Sequence, residues 1–280
     1  MKKVISASRR TDLVAFFPDW LSSSLKGKKV RVYGPSGHVY SVNLDPDLVH
    51  TIVLWSKNFS PLIEDRFGLR SVLQNYVQLF LHFTISGLGG SRIEPGVPDP
   101  QSAIDQLDPL LEFVKDPRRV NVRFDPVLHW SEGSEERSNL DFFKVIAPEL
   151  KKRGISDVRF SFAQWYNKGK KRAQKTDFMY LDLSEARKKE QVRDLVEVGK
   201  EWGLRLYSCS QAFLEDIEGV TPSACIDGRF LQELHPTGES VKNRKDRTQR
   251  RDCRCTDSVD IGSYTQSCPH SCIYCYANPK

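Results

Sequence analysis

The sequence has no apolar run that approaches the roughly 18 residues of a membrane-spanning helix. Its N-terminal MKKVISASRRTD lacks the long apolar core of a secretory signal, which favours a cytoplasmic protein with no membrane partner. Hydrophobic residues make up 39% and charged residues 28% of the 280 positions, close to the average of globular domains. These features exclude disordered, collagen-like and secreted disulfide-rich classes, and a chain of this length can bury a full core.

Cysteine is absent from the chain before Cys209, although the sequence contains seven cysteines in all. An odd number in a protein expected to be cytoplasmic argues against a disulfide framework. Clustering of all seven near the C-terminus indicates a metal site instead. The cysteines are Cys209, Cys225, Cys253, Cys255, Cys268, Cys272 and Cys275.

Charge is only mildly unbalanced, since 42 Lys and Arg residues against 36 Asp and Glu residues give a net charge of +6. This excess permits an anionic substrate or a nucleic acid without requiring either. Residues 242–254 read KNRKDRTQRRDCR, a basic run that could be a solvated face, a support for a cofactor or a nucleic-acid patch. No aromatic motif of the RNA-binding type accompanies it, so nucleic acid is not the favoured partner.

Short β-branched apolar runs alternate with segments of helical periodicity. Helical spacing predicts helices over 14–26, 102–115, 139–152 and 184–202, the last with Ser184 as its N-cap and Gly203 as its stop. The predicted strands are Val4–Ala7, Val30–Tyr33, Ile52–Trp55, Val77–Ile85, Val120–Phe124, Val158–Phe162 and Leu204–Tyr207.

This alternation predicts an α/β fold with a parallel sheet covered by helices. About seven strand–helix units favour a complete or partial TIM-like (β/α) barrel. No G-x-G-x-x-G follows a strand, which disfavours a dinucleotide-binding sheet. We expect residues 1–236 to form the barrel and the Cys-rich residues 237–280 to form an extension packed on it. The Gly- and Pro-rich Ser86–Pro100 is expected to be a loop over the barrel mouth.

Polar side chains follow several predicted strands, where the chemistry of barrels and open α/β sheets is placed. Any one of them could be a loop charge or a helix cap, but their convergence on one rim predicts a binding or catalytic site. The candidates are Arg9, Arg10, Asp12, Lys57, Asn58, Arg123, Asp125 and Tyr166.

Cys268-Pro-His-Ser-Cys272-Ile-Tyr-Cys275 forms a C-x3-C-x2-C motif. Three thiolates in one short loop can hold three corners of a [4Fe–4S] cluster and leave the fourth iron open to a small molecule. A structural zinc site is the alternative, with His270 as fourth ligand, although a position inside the loop strains that geometry. Free or redox-active thiols are the third interpretation.

Four further cysteines, Cys209, Cys225, Cys253 and Cys255, complete the set. Four is the number that closes a tetrahedral zinc site or fully ligates a second iron–sulfur cluster. Alternatively, Cys209 is a small buried side chain and the others are unpaired thiols.

The C-x3-C-x2-C spacing resembles the signature of radical S-adenosylmethionine (AdoMet) enzymes, which usually carry an aromatic residue before the last cysteine, here Tyr274. The resemblance implies that an open iron binds the amino and carboxylate groups of AdoMet. It further implies reductive cleavage of the sulfonium and hydrogen abstraction by a 5′-deoxyadenosyl radical. A flavodoxin- or ferredoxin-type reductant is implied, with Tyr274 at the adenosyl group. Arg250, from the basic run, is a candidate cofactor contact.

The segments ISASRRTD, WSKN, RFDP and CRCTDSVDIGSY resemble an uncharacterised bacterial family, a domain of unknown function placed near the radical AdoMet enzymes, over the whole chain. The resemblance implies a barrel-like fold with a C-terminal cluster motif and no particular reaction. Radical AdoMet enzymes normally carry this loop after their first strand. Either the barrel is circularly permuted, with residues 258–264 as the strand before the loop, or the tail folds over the rim. Gly34-Pro35-Ser36-Gly37 is the nearest match to their glycine-rich segment, or a simple turn.

The leading hypothesis is therefore a radical AdoMet enzyme that acts on a small-molecule or anionic substrate. A zinc-stabilised nucleic-acid-binding protein that uses the basic run is one alternative. A non-catalytic iron–sulfur redox sensor is the other.

Overall fold

The computed structural model of the protein describes residues 1–34 and 37–277. The strands are β1 (Lys3–Ala7), β2 (Lys29–Tyr33), β3 (Val39–Asn43), β4 (Val49–Ser56), β5 (Leu79–Thr84), β6 (Val120–Val127), β7 (His129–Glu132), β8 (Glu135–Ser138), β9 (Asp157–Phe162), β10 (Met179–Tyr180), β11 (Arg205–Ser208), β12 (Val220–Pro222) and β13 (Val259–Asp260). The α-helices are α1 (Leu13–Phe16), α2 (Pro18–Lys26), α3 (Ser60–Ile63), α4 (Leu69–Leu73), α5 (Pro100–Ile104), α6 (Leu107–Val114), α7 (Phe142–Lys152), α8 (Asn167–Ala173), α9 (Glu185–Trp202) and α10 (Gly228–Leu234).

Eight strands form one sheet in the order β12-β11-β9-β6-β5-β4-β1-β13. Every neighbouring pair in it is parallel, which confirms the predicted α/β fold with a parallel sheet. From β1 to β12 the spatial order follows the chain, and β13 returns to lie beside β1. Within the described residues no pairing joins β12 to β13, so of the complete or partial barrel that the sequence predicts, the complete form is not found.

One face of the sheet is covered by helices. Ile52 and Leu54 of β4 point to this face and share a core with residues of α2, α6, α7 and α9. Near-continuous burial along β4 is typical of a parallel strand that is covered on both sides. We call the opposite face of the sheet the second face. It carries Val4, Val53 and Phe80, and these side chains pack against α10 and the segment that follows α10.

The predicted strand Val30–Tyr33 exists as β2 but does not belong to the parallel sheet. It pairs with β3 in a separate antiparallel hairpin, with Lys29 opposite Asn43. Its burial alternates strictly, with Val30 and Val32 buried, because only one side of the hairpin is covered. Of the predicted glycine-rich segment Gly34–Gly37, Pro35 and Ser36 lie outside the described residues.

The predicted helices have the right places but not always the right lengths. Residues 14–26 form α1 and α2, because Pro18 cannot continue α1 and instead begins α2. Residues 102–115 are likewise divided between α5 and α6. The helix predicted over 184–202 is confirmed, with Ser184 accepting a hydrogen bond from the Arg187 amide and Gly203 left-handed at φ 65°.

The segment 258–264 does contain a strand, β13, which extends the main sheet beside β1. Asp260 secures this junction by accepting hydrogen bonds from Ser6 Oγ at 2.9 Å, Ser8 Oγ at 2.7 Å and the Arg9 amide at 2.8 Å. The first and last strands in chain order therefore lie side by side at one edge of the sheet. Among the helices of residues 1–34 and 37–277, none has the length and apolar character needed to cross a membrane.

Candidate functional site

The C-x3-C-x2-C loop follows β13 and lies at the carboxyl ends of β1, β4 and β5. His270 anchors it, with Nε2 2.8 Å from Asp12 Oδ2 and Nδ1 2.8 Å from the Gly96 carbonyl oxygen. The Gly96 amide donates back to the His270 carbonyl at 3.1 Å. A Cβ at Gly96 would lie 2.4 Å from the Pro269 carbonyl, so only glycine permits this close approach. The Ser86–Pro100 loop is thus clamped directly onto the cysteine loop.

Asp12 connects three parts of this rim. Its carboxylate caps α1 through the Ala15 amide at 2.9 Å and accepts hydrogen bonds from Ser56 Oγ and the Lys57 amide, each at 2.9 Å. Together with the His270 contact, these bonds saturate the carboxylate. The structure therefore gives Asp12, a predicted catalytic residue, the contacts of a positioning residue. Because both nitrogens of His270 are engaged, neither is free to act as a fourth metal ligand in this arrangement.

The three thiols of the loop differ in exposure, with Cys272 buried and Cys268 and Cys275 partly buried. Burial raises the pKa of Cys268 to about 12. Burial, reinforced by the nearby Glu94 carboxylate, raises the pKa of Cys272 well above that of a free thiol. Because a metal binds the thiolate, loading this site must release protons.

Glu94, which was not predicted from the sequence, lies beside Cys272. Its side chain is fully buried and accepts hydrogen bonds from Lys57 Nζ and Ser86 Oγ, each at 2.8 Å, and from the Tyr274 hydroxyl. Burial alone would lower the pKa of Lys57, but the charge of Glu94 and its hydrogen bond with Lys57 raise it. Lys57, a predicted site residue, therefore stays cationic next to the loop.

Tyr274, the predicted contact of the adenosyl group, is held by the hydrogen bond that its hydroxyl donates to Glu94. Burial, followed by the charge of Glu94, raises the pKa of its hydroxyl. The Lys57 ammonium lies 5.8 Å from the centre of the Tyr274 ring, within the range of a cation–π contact. Lys57, Glu94 and Tyr274 thus form one connected group against the cysteine loop.

On the second face of the sheet, charged residues replace the apolar ones toward the carboxyl ends of the strands. Arg123 forms an ion pair with Asp125, and Ser161 donates a hydrogen bond to the same carboxylate. The guanidinium groups of Arg9 and Arg123 lie 5.4 and 5.2 Å from the centre of the Trp55 ring. The structure therefore brings Arg9, Arg123 and Asp125, all predicted site residues, onto one face.

Tyr166 and Arg250 lie together, although they were predicted for different roles. Arg250 donates to Gln164 Oε1 at 2.8 Å and to the Tyr166 hydroxyl at 3.1 Å. The ring of Tyr166 is 6.0 Å from that of Tyr276, just after the cysteine loop. The basic run is thereby attached to the rim at Arg250.

The remaining two predicted residues serve local structure. Arg10 donates to the Gly262 carbonyl at 2.9 Å and lies 5.8 Å from the Tyr264 ring, so it ties the end of β1 to the segment after β13. Asn58 accepts a hydrogen bond from the Ser60 amide at 3.0 Å, at the entrance to α3.

The four remaining cysteines gather at the second face. Cys209 Sγ lies 3.5 Å from Cys225 Sγ, and the Cys255 thiol is within hydrogen-bond reach of both Cys225 and Cys253. A hydrogen bond from Cys255 lowers the pKa of Cys253 to about 6, and hydrogen bonds from Cys209 and Cys255 lower the pKa of Cys225. The four thiols therefore form a continuous chain of contacts.

Neither cysteine set has the closed geometry of a bound ion. In the described part of the chain, no three His, Cys, Asp or Glu side chains are arranged as a ready-made metal site. The three thiols of the C-terminal loop are not hydrogen-bonded to one another. Metal binding at either set would require the thiols to adjust.

None of the curated proteins compared with this chain matches it. A pyruvate carboxylase from Rhizobium etli, crystallised without acetyl coenzyme A, is a similar solved structure, at 13% identity and a TM-score of 0.33. That match covers 85% of this chain and 26% of the carboxylase, so the chain spans about a quarter of the length of that protein. Residues 4–277 match one family over nearly the whole length, and the chain therefore belongs to the family described as a domain of unknown function, DUF1848.

Proposed function

We propose that this protein is a radical AdoMet enzyme. Cys268, Cys272 and Cys275 would hold a [4Fe–4S] cluster with one open iron. The observation that carries the proposal is the place of the C-x3-C-x2-C loop, which follows a strand of the parallel sheet and lies against the carboxyl ends of the neighbouring strands. Catalytic groups of α/β sheets are held at this edge.

The donor set fits the cluster. Each thiolate of a [4Fe–4S] cluster binds a different iron, so the ligands need not touch one another, and these three thiols are not hydrogen-bonded together. Lys57 places a positive charge near Cys272, which offsets part of the negative charge of a thiolate-bound cluster. Arg172 donates to the carbonyls of Ile273 and Cys275 and so braces the loop from α8.

The strand order supports a permuted partial barrel. If β13 is taken as the first strand, the cysteine loop follows it and the chain-ordered series β1 to β12 comes next. Radical AdoMet enzymes, by the resemblance, carry their loop after the first strand. The order of these elements would then match that of those enzymes, although the chain enters it at a different point.

When bound, the cluster would supply the single electron that cleaves the sulfonium of AdoMet. A flavodoxin- or ferredoxin-type protein would be the reductant. The chain's own residues would position the reactants: Tyr274 and Arg250 would contact AdoMet at the rim, and Glu94 would hold Tyr274 in place. Arg123, paired with Asp125, offers cationic recognition of a small anionic substrate on the second face.

Anaerobic iron–sulfur reconstitution, followed by electron paramagnetic resonance of the reduced protein, tests this proposal. We expect a [4Fe–4S] signal that changes when AdoMet is added. Cys272→Ala should abolish both that change and AdoMet cleavage, whereas Thr265→Ala, an exposed residue of the same segment, should retain them. A [4Fe–4S] signal that does not change when AdoMet is added would indicate a redox sensor. Zinc bound without a cluster would indicate a binding protein. Either outcome would overturn the proposal.

A further inference from the structure

We infer that Cys209, Cys225, Cys253 and Cys255 bind one zinc ion, separate from the C-terminal loop. This site does not depend on the proposed reaction. Its ligands come from three places: Cys209 follows β11, Cys225 follows β12, and Cys253 and Cys255 lie in the segment between α10 and β13. A metal here would attach that segment to β11 and β12, at the edge of the sheet opposite β13.

Sulfur spacing distinguishes a single ion from a cluster. Zinc–sulfur bonds of about 2.3 Å at tetrahedral angles place neighbouring sulfurs about 3.8 Å apart. Cys209 and Cys225 are already 3.5 Å apart, and Cys255 contacts both Cys225 and Cys253. The Cys209–Cys225 edge of a sulfur tetrahedron is therefore nearly formed, and the contacts of Cys255 lie along two further edges. Because the thiolates of a cluster bind different irons, a cluster would have to push these contacting pairs apart.

The four thiols are arranged as a chain and not yet as a tetrahedron. Cys209 and Cys253 lie at its two ends, joined through Cys225 and Cys255. Closing the tetrahedron requires the two end sulfurs to approach each other. Rotation about the Cα–Cβ bond moves a sulfur between staggered positions without moving the backbone.

Buried arginines around the thiols are the second, independent observation. Among the described residues, Arg9 Nη2, Arg123 Nε and Arg159 Nη1 are buried without a hydrogen-bond partner. Arg9 is within hydrogen-bond reach of Cys255 and interacts electrostatically with Cys225, and Arg123 interacts electrostatically with Cys225 and Cys209. Buried donors without partners are costly and call for an acceptor.

A zinc ion with four thiolates supplies that acceptor, since it carries two net negative charges spread over its sulfurs. A buried anion of this kind is stable only where positive groups and hydrogen bonds compensate it. Ser208 and Ser210, which flank Cys209, also have buried hydroxyls without partners in the described chain. The surroundings are thus those of an anionic centre and not those of a neutral apolar core.

The test uses the full chain with Cys268, Cys272 and Cys275 all changed to Ala, so that only the second set can bind metal. We expect about one zinc and no iron per chain after anaerobic purification and reconstitution. Replacing zinc by cobalt should give the absorption of tetrahedral cobalt thiolate. Adding Cys225→Ala should remove the metal, whereas adding Ser23→Ala, on an exposed part of α2, should not.

Because Cys225→Ala could fail to fold, the wild-type chain provides a second measurement. A zinc chelator should release about one equivalent of zinc and lower the melting temperature. Iron with cluster absorption in the triple variant, a Cys209–Cys225 disulfide, or four free thiols without metal would each overturn the inference. Failure of AdoMet to change the resonance signal of the wild type would overturn only the proposed function.

Discussion

His270 and Asp12 lie 258 positions apart in the chain, yet His270 Nε2 is 2.8 Å from Asp12 Oδ2. This contact joins the cysteine loop at one end of the chain to the first strand at the other. The same carboxylate also binds the end of β4 through Ser56 and Lys57. One buried carboxylate therefore sets the position of the cysteine loop relative to the sheet.

Asp12→Asn tests that role. An asparagine can still cap α1, but its uncharged side chain holds His270 and the Lys57 amide less strongly. We expect a loss of about 1–3 kcal/mol in the free energy of unfolding in urea, and lower iron retention by the C-terminal loop. Asp99→Asn is the matched control, because Asp99 caps α5 in the same way without touching the loop. Equal losses in both variants would show that Asp12 acts only as the cap of α1.

Gly96→Ala tests the clamp between the Ser86–Pro100 loop and the cysteine loop. The added methyl group would meet the Pro269 carbonyl at 2.4 Å, so one of the two loops must move. Such overpacking costs about 1–3 kcal/mol, and we expect iron retention to fall as well. Gly199, inside α9, is the matched control position, because an added Cβ there would lie 3.4 Å from its nearest neighbour, which is an ordinary contact distance.

Gly199→Ala should therefore leave iron retention unchanged and raise the unfolding free energy by about 0.5–1 kcal/mol, because alanine favours the helix. Full iron retention in Gly96→Ala would show that the clamp does not position the cysteines.

Glu94→Gln tests the buried group beside Cys272. Removing the charge leaves Lys57 buried without its counterion, which we expect to cost about 3–5 kcal/mol in urea unfolding. The double variant Lys57→Met with Glu94→Gln should recover part of the loss, because no unpaired charge remains. Glu64→Gln, which breaks the exposed Arg66–Glu64 pair, should cost less than about 1 kcal/mol. A similarly small loss for Glu94→Gln would show that water reaches Lys57.

Much of the fold follows from local patterns. The alternation of apolar strands with helical segments was sufficient to predict the parallel sheet, and the Ser184 and Gly203 signals bounded α9 correctly. The antiparallel hairpin was assigned wrongly because length and composition make β2 look like the central strands. In β2 the charged residues Lys29 and Arg31 alternate with buried valines. This alternation in the sequence is the signal that distinguishes β2 from the central strands.

The site was less accessible to sequence reasoning because its contacts span the chain. Glu94 lies in a Gly- and Pro-rich loop, where a charged residue is usually solvated, and only the tertiary contact with Lys57 reveals its burial. The pairing of Cys209 with Cys225, and of Cys255 with both its neighbours, depends on strand order that composition does not contain. Cysteine number and spacing predicted two sets of candidate ligands, but only the structure shows which thiols touch.

Acid should destabilise the protein through His129. Burial, together with Arg187 and Lys188, lowers the pKa of His129 to about 4, and Glu136 opposes this shift only in part. An unfolded histidine titrates near 6.5, so between about pH 6.5 and 4 the unfolded state binds the extra proton. Stability is therefore complete above pH 6.5 and falls as the pH drops, by up to about 1.4 kcal/mol per pH unit for this residue.

Urea unfolding at a series of pH values measures this slope. We expect His129→Phe to reduce the slope between pH 6.5 and 4, whatever its effect on stability at pH 7, because the buried ring can no longer take up a proton. His38→Phe changes an exposed histidine and should leave the slope as it is. An unchanged slope in His129→Phe would mean that other buried histidines, such as His50 and His235, account for the acid sensitivity, since burial lowers their pKa as well.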